Sequence, residues 1–408
     1  MSLDPSFQPH FEGLRRALEL LAGKSALELP RDGLPTALPD AGLGDMQALE
    51  RLAPDVLGRA AQLGASNAMA HMDPPTPWIT WALALWNASL NQNLLHPETA
   101  PFARDAEACV VQWLAPVFGM NGGHMTAGSS VANLTALWAA RELRGIKTVV
   151  ASSASHLSIR KAAQILGLQY VEAGVDHRHR LDPKTLPRTL SDACLVLTAG
   201  TTSVGAVDLL DGCGIAAWTH VDAAWAGPLA LSDRHRSILS GLDQADSVAV
   251  SAHKWLFQPK ESALILFRDT EAAHRAISFG GSYLAAPNIG VQGSHGAAGT
   301  LLLATLLAWG REGLAARIER CMDNARQLQA FITDHPGLEC FPHGGTGVIV
   351  FRPVTHRVDE FRATLAHGLA SSTTIDGAPW LRCVSANPNA DMTRIIAAID
   401  QAAQRVGT

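Results

Sequence analysis

The sequence predicts an α/β protein with a large domain built on a mostly parallel central sheet, helices on both faces, and a small C-terminal α+β domain. Between residues 101 and 268, helical segments alternate with short apolar runs, the pattern of parallel strands joined by crossover helices. Two of these runs stop abruptly at ionisable side chains, which is typical of strands whose carboxyl ends open on one site. The segment from 338 to the C-terminus has strand and helix patterns of its own.

Periodicity assigns the elements of the central region. The predicted strands are 148–151, 169–172, 193–198, 217–222, 247–251 and 263–268. The predicted helices are 104–118, 130–144, 157–166 and 186–191. A glycine-rich connection over 279–299 leads into a long amphipathic helix over 300–331, with a break predicted at Gly310.

Three parts follow from this pattern. Residues 1–85 are predicted to be an N-terminal arm with helices at 11–22 and 45–63 between proline-rich joints. Residues 86–310 form the large domain and 311–408 the small domain. The elements predicted for the small domain are strand 347–352, helix 358–368, strand 380–385 and helix 392–405.

The composition limits the classes of function. Hydrophobic residues make up 47% and charged residues 17%, which is low in charge for a monomer and favours a homodimer. The net charge of -5 is spread along the chain without a basic cluster, so nucleic-acid binding is not expected. Six cysteines without a C-x-x-C pair indicate reduced thiols and no zinc site or other metal. Neither a signal peptide nor a long apolar run is present, so we expect no membrane segment and a cytoplasmic location.

Lys254 and Asp222 carry the strongest chemical signal. Lys254 follows a predicted strand and stands between His253 and Trp255, where partial desolvation favours the neutral amine. A neutral amine condenses with an aldehyde, and pyridoxal phosphate (PLP) is the cofactor that this chemistry indicates. Asp222 ends another predicted strand and supplies the carboxylate that keeps the ring nitrogen of PLP protonated. His220 shares the strand face of Asp222, where it is placed to orient the carboxylate.

A small polar segment before the predicted helix 130–144 is suited to binding an anion. It reads Thr126-Ala-Gly-Ser-Ser130, so backbone N–H groups and two hydroxyls converge where the helix dipole favours negative charge. Ser129 and Ser130 are therefore candidates to hold the phosphate of PLP. An ordinary helix N-cap explains the same residues when they are taken alone.

Four further side chains are candidates at the carboxyl edge of the predicted sheet. His156 is placed to lie flat on a cofactor ring, or it is an ordinary loop histidine. Thr201 either hydrogen-bonds the ring hydroxyl or caps a turn. Ala224 shares the strand face of Asp222 and is small enough for a ring to pack on it. Arg382 is a charge inside an apolar strand, and it is either part of a structural ion pair or an anchor for a substrate carboxylate.

Taken in order, these motifs resemble those of the group II PLP-dependent decarboxylases, the family of the glutamate, aromatic amino acid and diaminobutyrate decarboxylases. The matching motifs are His124-Met-Thr-Ala-Gly-Ser-Ser-Val-Ala-Asn-Leu134, Ala154-Ser-His156, Thr198-Ala-Gly-Thr-Thr202, His220-Val-Asp-Ala-Ala224, His253-Lys-Trp255 and Leu381-Arg-Cys-Val-Ser-Ala-Asn-Pro388. With their flanking residues they span about 74–388, most of the chain. The resemblance implies the fold-type I architecture of aspartate aminotransferase, with PLP as cofactor.

The resemblance also implies a role for each matching residue. Lys254 forms the covalent imine with PLP, and Asp222 pairs with the pyridinium nitrogen. His156 stacks on one face of the ring with Ala224 behind the other, and Thr201 lies near the ring hydroxyl. The phosphate end is held by Ser129, Ser130, Ser251 and His253.

The chain departs from the family pattern near its glycine-rich connection. The decarboxylases carry a tyrosine on a mobile loop that returns a proton to the α-carbon after carbon dioxide leaves. In this chain Tyr283 precedes a shortened loop and is a candidate donor beside His156 and Lys254. A Gly-Arg-Arg of the family is replaced by Gly293-Ser-His-Gly296, which makes His295 a candidate substrate contact.

Three hypotheses follow. The first is a PLP-dependent decarboxylase acting on an L-amino acid. The alternative is another PLP-dependent lyase or aldolase of the same fold, because the usual loop tyrosine and the Arg pair are missing. A dinucleotide-binding oxidoreductase is weaker still, since no G-x-G-x-x-G follows the first predicted strand. A chain that binds PLP without catalysis is disfavoured by the intact pair of Asp222 and Lys254.

Overall fold

A computed structural model of the chain describes residues 7–24, 36–342 and 344–407. The chain forms two compact units, Met1–Gln62 and Leu63–Thr408. The first unit contains α1 (Phe11–Ala22) and α2 (Asp45–Gly58), the two helices that periodicity predicts for this segment. The domain boundaries predicted at residues 85 and 310 stay predictions.

The second unit is built on a seven-stranded sheet. Its strands are β1 (Gly122–Thr126), β2 (Thr148–Ser152), β3 (Gln169–Ala173), β4 (Ala193–Thr198), β5 (Trp218–Asp222), β6 (Ser247–Val250) and β7 (Ala263–Phe267). Their order is β1-β7-β6-β5-β4-β2-β3. The five strands from β6 to β3 in this order pair in parallel, and β7 is antiparallel to both of its neighbours. The prediction of a mostly parallel sheet is confirmed.

Helices cover both faces of this sheet. They are α3 (Trp78–Leu90), α4 (Pro101–Leu114), α5 (Ser129–Arg144), α6 (Leu157–Ile165), α7 (Thr270–Ala276) and α8 (Ala298–Asp334). Successive strand residues alternate between two apolar layers: Leu195 lies in the layer with α4 and α8, and Val196 in the layer with α5, α6 and α7. The predicted break in α8 is confirmed, because Gly310 has a positive φ of 62° and a non-helical ψ of -175°. A two-stranded ribbon pairs β8 (Ser278–Phe279) with β9 (Asn288–Ile289).

The C-terminal part is the predicted small α+β layer. A four-stranded antiparallel sheet has the order β10-β11-β13-β12, and two helices, α9 and α10, pack on it around a separate apolar cluster. The bounds are β10 (Leu338–Cys340), β11 (Val348–Pro353), α9 (Val358–Thr364), β12 (Ser371–Ile375), β13 (Ala378–Val384) and α10 (Met392–Gly407).

Several local predictions differ from the structure. The helix predicted over 45–63 ends at Gly58, and the helix predicted over 358–368 ends at Thr364. The helix predicted over 186–191 is wrong: Leu186 is extended with ψ 147°, because the ring of Pro187 excludes the helical conformation from the residue before it. Strand β1 was not predicted, since a Gly-Gly pair has little strand propensity. Its pairing with β7 requires close approach, as a Cβ on Gly123 would lie 1.9 Å from the carbonyl oxygen of Ile265.

Within the described ranges, every helix is too short or too polar to cross a bilayer.

Candidate active site

The candidate site lies where the parallel strands end. Thr198 at the end of β4 pairs in register with Asp222 at the end of β5, and Asp222 pairs with Ala249 of β6. Lys254 follows four residues after the last residue of β6. Parallel strands end at the same edge of a sheet, so the register itself brings the lysine loop beside the carboxylate of Asp222.

A small cavity at this edge joins most of the predicted ring-binding residues. It is lined by Ser129, His156, Thr198, Gly200, Thr202, Asp222, Ala224, Trp225 and Lys254. Five of these are the predicted site residues Ser129, His156, Asp222, Ala224 and Lys254. The sequence also points to Thr202 and Trp225, which line the cavity, whereas the predicted Thr201 does not. The cavity thus brings together an amine, an acid, an imidazole and several small side chains.

Lys254 is held with its amine in the cavity, away from bulk water. Its carbonyl accepts a hydrogen bond from the Phe257 N–H at 2.9 Å, which fixes the turn after β6. Burial lowers the pKa of Lys254 below its usual value, the carboxylate of Asp222 opposes this shift, and the nearby Lys260 adds to it. A lowered pKa increases the fraction of neutral amine, the form that reacts with an aldehyde.

Asp222 is oriented by two donors. Its Oδ2 accepts a hydrogen bond from Asn133 Nδ2 at 3.0 Å, and its Oδ1 accepts one from the Ala224 N–H at 3.2 Å. Only 4% of Asp222 is exposed, so its carboxylate is satisfied by the protein and not by bulk water. Asn133 is not identified as a functional residue from the sequence. Its one signal is that it is an amide side chain in the helical stretch 132–137, whose other residues are apolar or small.

His156 both caps a helix and lines the cavity, so its predicted contact with a cofactor ring stays a prediction. It is the N-cap of α6, where its Nδ1 accepts a hydrogen bond from the Ser158 N–H at 3.2 Å, and it also lines the cavity. Burial lowers the pKa of His156, the carboxylate of Asp222 opposes this, and Lys254 adds to the lowering. The neutral imidazole is therefore the favoured form at neutral pH.

The residues predicted to hold a phosphate lie in different settings, and their role stays a prediction. Ser129 is the first residue of α5 and lines the cavity, whereas Ser130 is exposed. His253 faces the same turn, since a Cβ on Gly128 would lie 3.6 Å from His253 Cε1. Burial lowers the pKa of His253 to about 4, and Lys260 and Lys254 lower it further, so this ring is neutral at neutral pH.

Two buried hydroxyls test whether the residues present fit PLP. Ser251 Oγ and Thr198 Oγ1 are both buried and have no hydrogen-bond partner among the described residues. Unsatisfied buried hydroxyls are costly unless a ligand completes them. Thr198 lines the cavity and Ser251 lies three residues before Lys254, so a polar ring with a phosphate arm fits this donor set.

Thr201 and Arg382 do not line the cavity but hydrogen-bond to the backbone of the loop that contributes Thr202 to it. Thr201 Oγ1 accepts a hydrogen bond from the Ala206 N–H at 2.9 Å, which is the turn-capping alternative. Arg382 donates through Nη1 to the carbonyl of Thr202 at 2.7 Å and through Nη2 to the carbonyl of Ala70 at 3.4 Å, while its buried Nε has no partner in the described chain. Burial lowers the pKa of Arg382 from its ordinary value. Its guanidinium therefore braces the Thr202 loop through backbone carbonyls.

Tyr283 and His295 lie outside the Lys254 cavity of the protomer. Tyr283 is 73% exposed on the connection between β8 and β9. His295 Nδ1 lies 2.8 Å from the carbonyl oxygen of Gly293, and the ring lines a different cavity together with Glu107 and His124. The structure therefore does not bring these two predicted residues to the lysine within one chain.

Comparison with known proteins identifies the family. The model of the pyridoxal-dependent decarboxylase conserved domain matches residues 64–354. L-2,4-diaminobutyrate decarboxylase of Rhizobium meliloti (strain 1021) is 31% identical over 91% of this chain and 84% of its own length. Two solved structures share the fold: mouse CSAD, with a TM-score of 0.84 and 23% identity over 98% of this chain and 100% of that chain, and Oryza sativa TDC with PLP and tryptamine, with a TM-score of 0.85 and 19% identity over 100% of both.

These matches confirm the fold-type I architecture, the PLP cofactor and the amino acid decarboxylase activity that the motifs imply. They do not favour the alternative of another PLP-dependent lyase or aldolase. The family model covers most of the chain and includes Asp222 and Lys254. The chain therefore belongs to the pyridoxal-dependent decarboxylase family.

Proposed function

We propose that the Lys254 cavity removes the α-carboxylate of an L-amino acid. The observation that supports this most is the meeting of an amine of lowered pKa with the doubly hydrogen-bonded carboxylate of Asp222 in one cavity. When bound, PLP supplies an electron sink that accepts the bonding pair as carbon dioxide leaves.

The residues predicted from the sequence have proposed roles in holding the cofactor. Lys254 Nζ attaches it, and the Asp222 carboxylate holds the proton on its ring nitrogen. His156 and Ala224 contact opposite faces of the ring, and Thr201 supports the loop at the ring hydroxyl by capping its turn. The phosphate is held by Ser129, Ser130, Ser251 and His253.

Proton return to the α-carbon has three candidate donors. His156 and Lys254 lie in the cavity of the same protomer. Tyr283 is exposed, so it would act only where its connection reaches a cavity from outside, for example that of a second copy. We propose that Arg382 contacts the substrate carboxylate through its Nε, which has no partner in the described chain. We propose His295 as a second substrate contact, which, like Tyr283, would act only at a cavity that its connection reaches from outside.

The test is a screen of L-amino acids in which carbon dioxide and the amine product are measured on one sample. The panel starts with L-2,4-diaminobutyrate, the substrate in the name of the R. meliloti relative, and includes acidic, aromatic and sulfinic side chains, which other relatives' names contain. We expect equal amounts of carbon dioxide and amine from at least one member. Aldehyde or ammonia without carbon dioxide would contradict the proposal and support a different PLP-dependent lyase.

We further propose that the protein is a homodimer. Helix α3 is apolar on nearly all sides, yet only Thr80 of its residues is buried, and Trp78, Trp81 and Trp86 are 70%, 50% and 59% exposed. A helix that is hydrophobic all round is stable in water only when it is covered. A second copy of the chain offers the same apolar helix, so an isologous contact covers both at once.

Changing this face is expected to separate the subunits. A glutamate in a buried apolar interface loses its hydration without gaining a partner, so Trp86→Glu is expected to weaken self-association by roughly 100-fold. Sedimentation velocity would show the wild type with the mass of two chains and the variant with that of one. Val354→Glu is the matched control, because Val354 is also an exposed apolar residue but lies far along the chain, after β11. A single-chain mass for the wild type would contradict the proposal.

We propose a cytoplasmic location as well. All six cysteines are free thiols in the structure, three of them buried. Free thiols are typical of proteins from reducing compartments, whereas secreted proteins of this kind usually form disulfides.

A further inference from the structure

A chain of buried hydrogen bonds runs behind the Lys254 cavity. It begins at Trp218, whose Nε1 donates to Ser247 Oγ at 2.9 Å. Ser247 Oγ lies 2.9 Å from His220 Nδ1, and His220 Nε2 lies 3.0 Å from Asn133 Oδ1. Trp218 is 4% exposed, and the other three residues have no exposed surface. In such a setting a mismatched donor or acceptor is costly, so the direction of each bond is well determined.

At Asn133 this series of hydrogen bonds splits into two branches. Its Nδ2 lies 3.0 Å from Asp222 Oδ2 and 3.0 Å from Ser158 Oγ. Ser158 Oγ in turn lies 2.8 Å from His156 Nδ1. The Asn133 amide therefore hydrogen-bonds to Asp222 directly. It is linked to His156 through the hydroxyl group of Ser158.

The donors and acceptors can be assigned in only one consistent way. Asp222 as a carboxylate only accepts, so Asn133 must present its NH₂ group to it and its oxygen to His220. His220 then carries its proton on Nε2, and burial, which lowers the pKa of His220 to about 4, keeps the ring neutral. Its Nδ1 is left as an acceptor for the hydroxyl hydrogen of Ser247, whose oxygen accepts from Trp218.

The same logic fixes His156. The second hydrogen of the Asn133 NH₂ group occupies Ser158 Oγ as an acceptor, so the hydroxyl hydrogen of Ser158 points to His156 Nδ1. The Ser158 N–H donates to the same nitrogen at 3.2 Å. Neutral His156 therefore carries its proton on Nε2.

We propose that Asn133 is a positioning residue that sets both the orientation of the Asp222 carboxylate and the tautomer of His156, and that His220, Ser247 and Trp218 hold its amide in the required direction. The inference rests on the proposed roles of Asp222 and His156 toward PLP. Asn133 also lies one helical turn after Ser129 on α5, so the helix that begins at the phosphate end also places the group behind the ring nitrogen.

Asn133→Asp replaces the NH₂ group, which donates to Asp222 and Ser158, with an oxygen that only accepts, and the side chain keeps almost the same shape. The new carboxylate takes the hydroxyl hydrogen of Ser158, which leaves an oxygen lone pair facing His156 Nδ1, and it repels the Asp222 carboxylate. In the full-length protein without PLP at pH 8, ¹³C and ¹⁵N NMR of labelled histidine is expected to show His156 changing from one Nε2–H tautomer to a mixture. His156→Gln assigns the signal. The dissociation constant of PLP is expected to rise about 10- to 100-fold, the range for loss of one hydrogen bond to a charged group.

Ser158→Ala separates the two branches. It removes the hydroxyl link to His156 and leaves the contact of Asn133 with Asp222 intact. We expect a smaller shift of the His156 tautomer, because the backbone N–H of Ser158 remains, and PLP affinity within about three-fold of the wild type, since the bond to the charged group is kept.

The proposal is overturned if folded Asn133→Asp keeps the single Nε2–H tautomer, or if Ser158→Ala weakens PLP binding as much as Asn133→Asp does. Should Asn133→Asp not fold, an unchanged tautomer in Ser158→Ala overturns it alone. The tautomer is measured without substrate or cofactor, so it stays informative even if the proposed decarboxylation fails.

Discussion

Replacing Lys254 with alanine is expected to abolish covalent attachment of PLP and to lower kcat by on the order of 10⁴-fold, the upper end for loss of a positioned acid–base group. The amine lies in a cavity where burial lowers its pKa, so it is the nucleophile best suited to the aldehyde. Borohydride reduction followed by peptide mass analysis is expected to place the cofactor on residue 254 of the wild type and on no residue of the variant.

The matched control is Lys161→Ala. Lys161 is an exposed lysine on α6, the helix that His156 caps, and it does not line the cavity. This variant should retain the label on residue 254 and a kcat within about two-fold of the wild type, as expected for a surface substitution. Equal urea midpoints of the two variants exclude unfolding as the cause. A label on another lysine, or a kcat for Lys254→Ala within tenfold of the wild type, would refute the assignment.

The core of the site was predictable because two strand-end signals coincide with strand register. Asp222 and Lys254 each follow an apolar run, and parallel pairing of β5 with β6 brings both ends to one edge. His156 follows the same rule, since it stands at the start of a helix after the predicted strand β2. Chain order and a parallel sheet therefore suffice to place the acid, the amine and this histidine near one another. Ser129 was predicted on a different ground, the anion-binding pattern at its helix start, because strand β1 before it has no clear sequence signal.

The supporting hydrogen bonds were not predictable in this way. Asn133 contacts Ser158, His220 and Asp222 across 25, 87 and 89 residues of sequence. Periodicity shows which face of α5 is buried, but not which strand residue lies under a given turn. That depends on how the helix packs on the sheet, and a single polar residue on an apolar face does not reveal its partner.

Short antiparallel edge strands were also hard to predict. Strand β12 consists mainly of serine and threonine, and β10 has only three residues. Neither has enough alternation to be distinguished from a loop, and both exist because longer neighbours, β13 and β11, provide hydrogen-bonding partners. Edge strands of this kind are stabilised by tertiary pairing rather than by their own sequence.

Removing the Asp222 carboxylate is expected to produce the second largest effect. A carboxylate beside the ring nitrogen raises the pKa of that nitrogen by about 1 to 3, which corresponds to about 1.4 to 4 kcal/mol of stabilisation of its protonated form. Asp222→Ala is therefore expected to lower kcat by about 10- to 1000-fold. The defect should lie in kcat more than in KM, because the ring charge matters most as the carboxylate leaves.

A modified cofactor tests the cause directly. PLP methylated on its ring nitrogen carries the positive charge permanently, without a proton or a carboxylate to hold it. In Asp222→Ala the methyl group has the space that the carboxylate leaves, so N-methyl PLP is expected to restore kcat by tenfold or more relative to PLP. In the wild type the methyl group occupies the place of the hydrogen bond to Asp222, and the same compound should support less activity than PLP. This crossover separates the loss of charge from a general disturbance of the site.

Asp208→Asn provides the matched control, because Asp208 is another buried carboxylate at the same sheet edge. Its two oxygens accept hydrogen bonds from the backbone N–H groups of Leu181 and Thr198, and burial raises its pKa to about 6. It lies outside the cavity lining, so N-methyl PLP should not rescue any loss that this variant shows. If N-methyl PLP fails to improve Asp222→Ala, or improves Asp208→Asn equally, the ring nitrogen is not the group that Asp222 serves. The position of Asn133 would then need another explanation, because its NH₂ group donates to Asp222 Oδ2, an oxygen of the carboxylate proposed to serve the ring nitrogen.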